Sequence, residues 1–436
     1  NKIKDIRAIL PIIEKGIQIN LTFMPRSSGL IIENNPLEYP PQQTIKQGNQ
    51  AIIRFFEKIV QEGEDTIYEA KLTLVGEGSA GKTSLVRRLL DSKAPFPEEK
   101  NRTRGISIVD WVFKIQKNKK HMAHIWDFGG QDVYYPVHRF FITENSVFVL
   151  LASSRQNTHH FDYWIPTIYQ FGGKSPIILG QTCHDGNTAN WNDIGEYVAN
   201  ENFNIIKDSS QYYHEINLPK SNKGLSQIKK SIINQIVALP HYRRNVPKSW
   251  VPVREMIYNL KSRNCISYID LKEQIVKSNP DSFKSREDVE DCIKFFHSIG
   301  ILLWYHTENQ LKDWVILNPK WAVDAVYKII DYKKNSNKGI ILSEDFDLVW
   351  KAKIYEDKHT ILKDMLEVFK IAFPKKNNKS NYIMPTRLHS MEIKDIWKDD
   401  LDNYLRIEYH YEFMPKGLVN QISAELSRFI LDDNEV

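Results

Sequence analysis

The hydrophobic positions in the middle of the chain follow two patterns. Short apolar runs with β-branched residues predict strands at residues 72–75, 106–113, 123–126 and 176–179, and the first of them is expected to be buried. Directly after the first run, apolar residues recur at helical spacing, at Leu85, Val86, Leu89 and Leu90. A strand, a loop and a helix in this order predict an α/β domain, which we place at residues 67–240.

The segment before this domain has a different pattern. Apolar residues and one asparagine in residues 1–43 have the spacing of a leucine-rich repeat, at Leu30, Ile32, Asn35 and Leu37. A single repeat of this kind predicts the C-terminal end of a repeat domain. Residues 44–66 carry apolar side chains on one helical face and predict a linker helix into the α/β domain.

The segment after the α/β domain is mainly helical. Three helical patterns precede a predicted β-hairpin, and the four features begin at Trp250, Ile269, Arg286 and Ile301. Three helices followed by a hairpin predict a winged-helix-like part within residues 241–375. A further segment, residues 376–436, is interpreted as the start of a second half of the same α+β region.

Composition narrows the class of protein. With 436 residues the chain is long enough for about three domains, and 42% hydrophobic with 26% charged residues is typical of folded protein. The net charge of +5 is small for this length, and no basic stripe marks the third helix, so we expect no nucleic-acid partner. Three separated cysteines favour a cytoplasmic location, and the longest apolar run, residues 147–152, is too short to span a membrane.

A complete phosphate-binding motif follows the first predicted strand. Residues 76–83 read GEGSAGKT and match G-x-x-x-x-G-K-[ST]. Glycines let backbone N–H groups surround phosphate oxygens at a helix N-terminus. Lys82 is expected to reach the β- and γ-phosphates, and the Thr83 hydroxyl to bind Mg²⁺. The candidate nucleotide contacts here are Gly76, Gly78, Ser79, Ala80, Gly81, Lys82, Thr83 and Ser84.

The stretch WDFGGQ, residues 126–131, fits two kinds of enzyme. Asp-Phe-Gly is the metal-binding tripeptide of protein kinases, but the chain has no H-R-D motif before it. Asp-x-x-Gly is also the second switch of a GTPase, in which Asp127 contacts Mg²⁺ and Gly130 donates to the γ-phosphate. Gln131 then stands where a GTPase orients the attacking water, and Thr103 is the candidate switch threonine for Mg²⁺.

Base recognition is less regular. Thr182 and Asp185 occupy the first and last positions of the T-K-x-D motif that reads guanine, but Cys183 replaces the lysine. Two alternatives to a GTPase stay open at this point: a P-loop NTPase that uses ATP, and a nucleotide-binding scaffold with little turnover. Arg155, after a predicted strand, could supply positive charge to the γ-phosphate. His121, His124, His159 and His160 lack zinc spacing and are interpreted as ordinary strand and loop residues.

Six segments together resemble the Roco family: LIIENNPLEYPP, GEGSAGKT, RTRGISIVDW, WDFGGQ, FGGKSPIIL and LNPKWAVDAVYKII. The resemblance implies a multidomain fold: the end of a leucine-rich repeat, a Ras-like α/β GTPase domain (Roc) and an α+β C-terminal-of-Roc (COR) region. It further implies slow GTP hydrolysis with GTP/GDP and Mg²⁺, a homodimer formed through COR in a nucleotide-dependent way, and protein partners at the repeat. In such a family Arg155 corresponds to a candidate catalytic residue reached on dimerisation.

Overall fold

The structure of the chain is a computed structural model, which describes residues 2–21, 28–33, 35, 37–97, 103, 105–115, 119–131, 135–155, 159–183, 194–207, 213–218, 222–243, 245–332, 339–387, 410 and 418–427. The chain forms two units. The first comprises Asn1–Gln131 and Phe141–Asp324, and the second comprises Asp132–Phe140 and Ala325–Val436.

The N-terminal part of the first unit consists of short elements. They are α1 (Leu10–Glu14), β1 (Ile19–Asn20), β2 (Leu30–Ile31), α2 (Gln42–Lys46), α3 (Asn49–Glu62) and β3 (Glu64–Thr66). β1 and β2 pair in parallel. The region predicted as one linker helix contains two helices, because Gly48 has a positive φ of 88° that interrupts the helical path between α2 and α3.

A six-stranded sheet forms the centre of the first unit. Its strands are β4 (Glu69–Gly76), β5 (Ile106–Phe113), β6 (His121–Phe128), β7 (Ser146–Ser153), β8 (Ile177–Thr182) and β9 (Tyr213–Ile216), in the order β5-β6-β4-β7-β8-β9. All neighbours are parallel except β5 with β6. Every residue of β4, β6 and β7 is buried, as expected for parallel strands covered on both faces.

Four helices of the first unit alternate in sequence with these strands or follow them: α4 (Lys82–Leu90), α6 (Phe161–Gly172), α7 (Ile194–Ala199) and α8 (Leu225–Ala238). The short helix α5 (Tyr135–His138) belongs to the second unit. Side chains from α4 and α8 meet those of the sheet in one hydrophobic core, which includes Leu85, Val147, Ile178 and Ile232. Because β4, β6, β7 and β8 are parallel, their carboxyl ends lie at one edge of the sheet. This is the edge at which α/β folds bind their ligands.

The rest of the first unit contains β10 (Asn245–Pro247), α9 (Trp250–Asn259), β11 (Cys265–Ser267), α10 (Tyr268–Ser278), α11 (Arg286–Ser298) and β12 (Trp314–Ile316). The predicted third helix has the bounds of α11, which begins with a capping box between Ser285 and Asp288. The two segments of the predicted hairpin meet in one antiparallel bridge, in which Leu303 and Ile316 each donate to the other's carbonyl at 2.9 Å. β12 also pairs with β11.

A second hydrophobic core lies outside the α/β sheet. It joins residues of the N-terminal segment, such as Ile6, Ile52 and Phe55, to residues after position 245, such as Trp250 and Phe295. Phe55 and Trp250 make an edge-to-face contact with ring centroids 5.9 Å apart. The ends of the first unit are thus packed on each other, although nearly 200 residues of the α/β domain separate them in sequence.

The second unit is built from α12 (Pro319–Asp331), which begins in the first unit, and from β13 (Ile340–Ile341), α13 (Ser343–Val349), α14 (His359–Val368), β14 (Phe373–Pro374), β15 (Tyr382–Ile383) and α15 (Leu418–Glu425). β15 lies between β13 and β14 in an antiparallel sheet. The Trp350 indole donates to the Ala325 carbonyl at 3.0 Å, and the Tyr382 hydroxyl donates to Glu367 at 2.6 Å. Within the described part of the chain, no helix has the length and apolar character needed to cross a membrane.

Candidate nucleotide-binding site

The loop between β4 and α4 requires glycine at both ends. Gly76 has φ 129°, and a Cβ there would lie 2.2 Å from the Leu151 carbonyl oxygen. Gly81 has φ 88°, and its Cβ would lie 2.9 Å from a methyl group of Thr182. Side chains are thus excluded where the loop leaves the strand and where it enters the helix. The N–H groups in the first turn of α4, which have no intrahelical acceptor, can donate to an anion.

Lys82, the first residue of α4, is buried at the base of this loop. Its ammonium group donates to the carbonyl oxygens of Gly76 and Glu77, each at 2.7 Å. Burial lowers the pKa of Lys82 to about 8, while Asp127 and Glu77 act in the opposite direction. A phosphate beside this ammonium would restore the negative surroundings that favour its charged form.

Three predicted magnesium residues come together next to Lys82. The Thr83 hydroxyl donates to Asp127 Oδ2 at 2.6 Å and lies 2.5 Å from the Thr103 hydroxyl, which donates to the same oxygen at 3.2 Å. Burial raises the pKa of the Asp127 carboxyl, whereas Lys82 and the two threonine hydroxyls lower it. Residues from α4, from the segment before β5 and from β6 therefore meet in one cluster.

The cluster fits Mg²⁺. Asp127 is 1% exposed, and its Oδ1 has no hydrogen-bond partner among the described residues. A buried carboxylate oxygen without a donor is unfavourable unless a cation contacts it. In the described ranges no group of three or more His, Cys, Asp or Glu residues has metal-binding geometry. Magnesium at a nucleotide needs only one or two protein carboxylates, because phosphates and waters complete its shell.

The backbone after β6 rests directly on the phosphate loop. A Cβ on Gly130 would lie 2.2 Å from the Glu77 carbonyl carbon and 2.3 Å from the Gly78 nitrogen. The Gly129 N–H donates to the Gly105 carbonyl at 2.6 Å, which joins the segments before β5 and after β6. Gln131 follows as an exposed residue. The predicted switch residues are thus placed against the loop by backbone contacts that only glycine permits.

Thr182 lies at the end of β8 and contacts the phosphate loop. Its hydroxyl donates to the Ala80 carbonyl at 3.0 Å and also lies 3.4 Å from the Ala152 carbonyl. This hydroxyl therefore supports the loop. Asp185, the predicted guanine reader, falls outside the described residues. Arg155 is exposed in the turn after β7, and its backbone N–H donates to the Ser153 hydroxyl at 3.3 Å.

A small cavity opens beside Thr182 at the expected position of the base. It is lined by Gly81, Ser84, Phe96, Thr182, Cys183, Ile216 and Leu218. Its walls are mostly apolar, which suits the faces of a purine ring. Phe96 was not among the site residues predicted from the sequence. The signal was present, because an aromatic residue between Pro95 and Pro97 has restricted backbone freedom and a surface to bury.

Two family models match the chain. "Ras of Complex, Roc, domain of DAPkinase" matches residues 71–185, and "C-terminal of Roc, COR-A domain" matches residues 247–388. The predicted order, a Ras-like domain followed by a COR region, is confirmed by these matches.

Similar proteins share this arrangement at low identity. A Roc-COR-CHAT protease from an unknown prokaryotic organism is 24% identical over 447 residues, which cover 92% of this chain and 39% of that protein. The probable serine/threonine-protein kinase pats1 of Dictyostelium discoideum is 24% identical over 437 residues, covering 92% of this chain and 14% of that protein. The chain thus spans well under half the length of these relatives.

A solved structure has the same fold. The structure of Methanosarcina barkeri Roco2 RocCORdC bound to GDP aligns with a TM-score of 0.59 at 23% identity, covering 76% of this chain and 100% of that one. The six-stranded sheet and the region after it therefore form a fold that a Roc-COR protein adopts.

Proposed function

The chain belongs to the Roco family, and from this premise we propose that it is a regulatory GTPase that binds GTP and GDP with Mg²⁺ and hydrolyses GTP slowly. The observation that carries the proposal is the meeting of Thr83, Thr103 and Asp127 beside Lys82. Two hydroxyls and one buried carboxylate at the foot of a phosphate loop are the protein ligands that a nucleotide-bound Mg²⁺ uses.

In this proposal the chain's own groups hold the triphosphate. The loop from Gly76 to Gly81 and the first turn of α4 donate N–H groups to phosphate oxygens. The Lys82 ammonium exchanges its bonds to the Gly76 and Glu77 carbonyls for bonds to the β- and γ-phosphates. Thr83, Thr103 and Asp127 would hold Mg²⁺, which neutralises charge on the phosphates when it is bound.

Hydrolysis requires a positioned water and compensation of the charge that develops on the γ-phosphate. Gly130 donates its N–H towards the γ-phosphate, and the closeness of its backbone to Glu77 and Gly78 of the loop supports this role. Gln131, exposed beside it, orients the water. Arg155, exposed at the end of β7, supplies positive charge, in the same chain or across a dimer. Thr182 and the cavity it lines receive the base, and Asp185 selects guanine.

The output is a conformational state, since intrinsic turnover at such sites is slow, on the order of 10⁻⁴ to 10⁻² per second. We propose that the nucleotide state is coupled to the arrangement of Roc and COR or to homodimerisation through COR. Residues 1–43 act as the end of a leucine-rich repeat that offers a surface to protein partners. The helices α9, α10 and α11 with β11 and β12 serve as a winged-helix-like packing module.

The test combines nucleotide affinity with mass. Labelled GDP, a non-hydrolysable GTP analogue and ATP are titrated into the chain while light scattering follows its mass. Guanine-selective binding is expected, with a change of mass between nucleotides. Lys82→Ala is expected to lose about a hundredfold in affinity, because two charge-assisted hydrogen bonds are removed. Lys320→Ala is the matched control, because Lys320 pairs with Asp324 on the surface of α12.

The outcomes separate the parts of the proposal. Unchanged affinity in Lys82→Ala would overturn the phosphate-loop assignment. A preference for ATP would overturn the assignment of Asp185 and favour an ATP-using P-loop NTPase. Guanine binding without turnover at any protein concentration would leave a nucleotide-binding scaffold. A constant mass in all nucleotide states would place the regulation inside one chain.

A further inference from the structure

A second cavity lies in the first unit, where the N-terminal segment meets the linker between the α/β sheet and β10. Unlike the cavity beside Thr182, it is lined by polar side chains. Its volume is about 290 Å³, and its lining residues are Lys4, Asp5, Arg7, Glu38, Tyr39, Arg243 and Asn245. None of them belongs to the phosphate loop, the switches or the base cavity. Three of the seven are basic and two are acidic, so the lining carries one excess positive charge.

The acidic side chains are already paired. Lys4 forms an ion pair with Glu38 at 2.9 Å, and Arg7 donates through Nε to Asp5 at 2.8 Å. Both basic partners are well exposed, at 63% for Lys4 and 61% for Arg7. Exposed ion pairs of this kind contribute little to stability, so Lys4 and Arg7 can turn to another anion at little cost.

Arg243 is the basic residue that is left over. Its Nε and one of its terminal nitrogens are buried and have no hydrogen-bond acceptor among the described residues. The Tyr242 ring lies 6.0 Å from the guanidinium carbon, too far to accept those hydrogen bonds. Arg243 also has a positive φ of 57°, which is uncommon for a residue with a side chain. Buried donors of a charged group without acceptors are unfavourable. Because Arg243 lines the cavity, a turn of its side chain towards the cavity would let an anion there accept from these donors.

We propose that this cavity is a phosphate-binding site, in which Arg243 binds the phosphoryl oxygens with two N–H groups and Lys4 and Arg7 complete the charge balance. A guanidinium fork matches phosphate geometry. A phosphate monoester, with a charge of about −1.5 to −2, competes with Glu38 and Asp5 for Lys4 and Arg7 better than a singly charged carboxylate does. The phosphate could be free or could be carried by a small molecule. Because the lining comes from the N-terminal segment and from Arg243 and Asn245, occupation of the site would tie that segment to the linker after the α/β sheet.

The test measures inorganic phosphate binding by calorimetry on the full chain. Saturating GDP is present, so that the phosphate loop is occupied and does not bind the added phosphate. The measurement is repeated with the Lys82→Ala chain without nucleotide. The result therefore does not depend on the GTPase proposal. Arg243→Gln is expected to weaken phosphate binding about tenfold or more, the equivalent of losing one charge-assisted contact. Arg286→Gln is the matched control. It removes the same charge from an arginine on α11 that pairs with Glu290.

A second variant covers the case in which Arg243→Gln fails to fold. The double substitution of Lys4 and Arg7 by Gln changes exposed side chains only and is expected to weaken phosphate binding several-fold. Glycerol phosphate and acetate are the comparison ligands. If glycerol phosphate binds more strongly than inorganic phosphate, the site is supported and its ligand is a phosphate ester. If glycerol phosphate binds more weakly, the site is supported and its ligand is the free ion. The proposal is overturned if acetate binds as well as phosphate, if the native chain does not bind phosphate, or if Arg243→Gln and Arg286→Gln bind it equally.

Discussion

Replacement of Thr182 by valine isolates one contact of the nucleotide site. Thr182 and valine have nearly the same shape, so the substitution removes the hydroxyl that donates to the Ala80 carbonyl at 3.0 Å. Ala80 is fully buried, so its carbonyl cannot turn to bulk water for a replacement. Loss of one partner from a buried hydrogen bond costs about 1–3 kcal/mol. We therefore expect the free energy of unfolding to fall by that amount.

The same contact should affect nucleotide release. If about 1 kcal/mol of the lost energy acts on the loop conformation that holds phosphate, GDP dissociates about five times faster. The dissociation rate of fluorescent GDP measures this effect, and urea unfolding measures the stability. Both measurements use the chain with Mg²⁺ present at a fixed concentration.

Thr73→Val is the matched control. Thr73 lies in β4 of the same sheet and is fully buried, but its hydroxyl has no partner among the described residues. Removal of an unsatisfied hydroxyl should leave GDP dissociation unchanged and raise the free energy of unfolding by about 1 kcal/mol. If Thr182→Val and Thr73→Val shift stability in the same direction, or if Thr182→Val releases GDP at the native rate, the inferred support of the loop by Thr182 is refuted.

Two further predictions concern buried charges. Asp127→Asn should lower the Mg²⁺ affinity of the GDP-bound chain at least tenfold, because the only carboxylate of the cluster loses its charge. The rate of GDP release, measured at increasing Mg²⁺ concentration, tests this. If the variant needs no more Mg²⁺ than the native chain to retain GDP, the prediction is contradicted. Burial lowers the pKa of Lys71 to about 7 from an ordinary 10.5, so between these values the unfolded chain holds a proton that the folded chain lacks, and stability rises with pH by about 1.4 kcal/mol per unit. His297 beside it has a pKa lowered to about 4 and stays neutral in this window. Urea unfolding at pH 7, 8 and 9 should show this rise in the free energy of unfolding in the native chain and in the control Lys320→Met. The rise should be smaller in Lys71→Met. Equal slopes in the three chains would exclude Lys71 as its source.

Much of the α/β domain followed from the sequence. The predicted strand at residues 106–113 has the bounds of β5, and the run at 123–126 lies inside β6. Short apolar runs indicate strands, and a motif of eight residues indicates the loop between β4 and α4. Both signals are local, since a strand of this kind and a phosphate loop depend on residues a few positions apart.

Long-range contacts were not readable from the pattern. His124 was interpreted as an ordinary strand histidine, but its ring nitrogens lie 2.6 Å from an Asp110 oxygen and 2.9 Å from a Glu69 oxygen. Against the effect of burial, these carboxylates raise the pKa of His124. Glu69 also accepts hydrogen bonds from Arg254 and Tyr258, which lie on α9. Such a network depends on residues up to 189 positions apart, and nothing in their spacing indicates it.

The pairing of β12 shows the same limit on a smaller scale. The apolar runs at residues 301–305 and 314–317 predicted a hairpin because they are close in sequence. In the structure β12 pairs with β11, about 50 residues earlier, and the short apolar segment Cys265–Ser267 gave no strand signal of its own. Three residues are too few for a periodicity, so the sequence pattern did not indicate this pairing.

The sequence by itself determined the phosphate loop, the order of the elements around it and the residues available to bind nucleotide, because each is fixed by residue type at short spacing. The tertiary structure decided which of those residues meet. It brought Thr83, Thr103 and Asp127 into one cluster, made Thr182 a support of the loop, and left Arg243 without an acceptor in a cavity formed by distant segments. These outcomes depend on how strands and helices pack, and packing is set by the shape and burial of side chains from the whole chain.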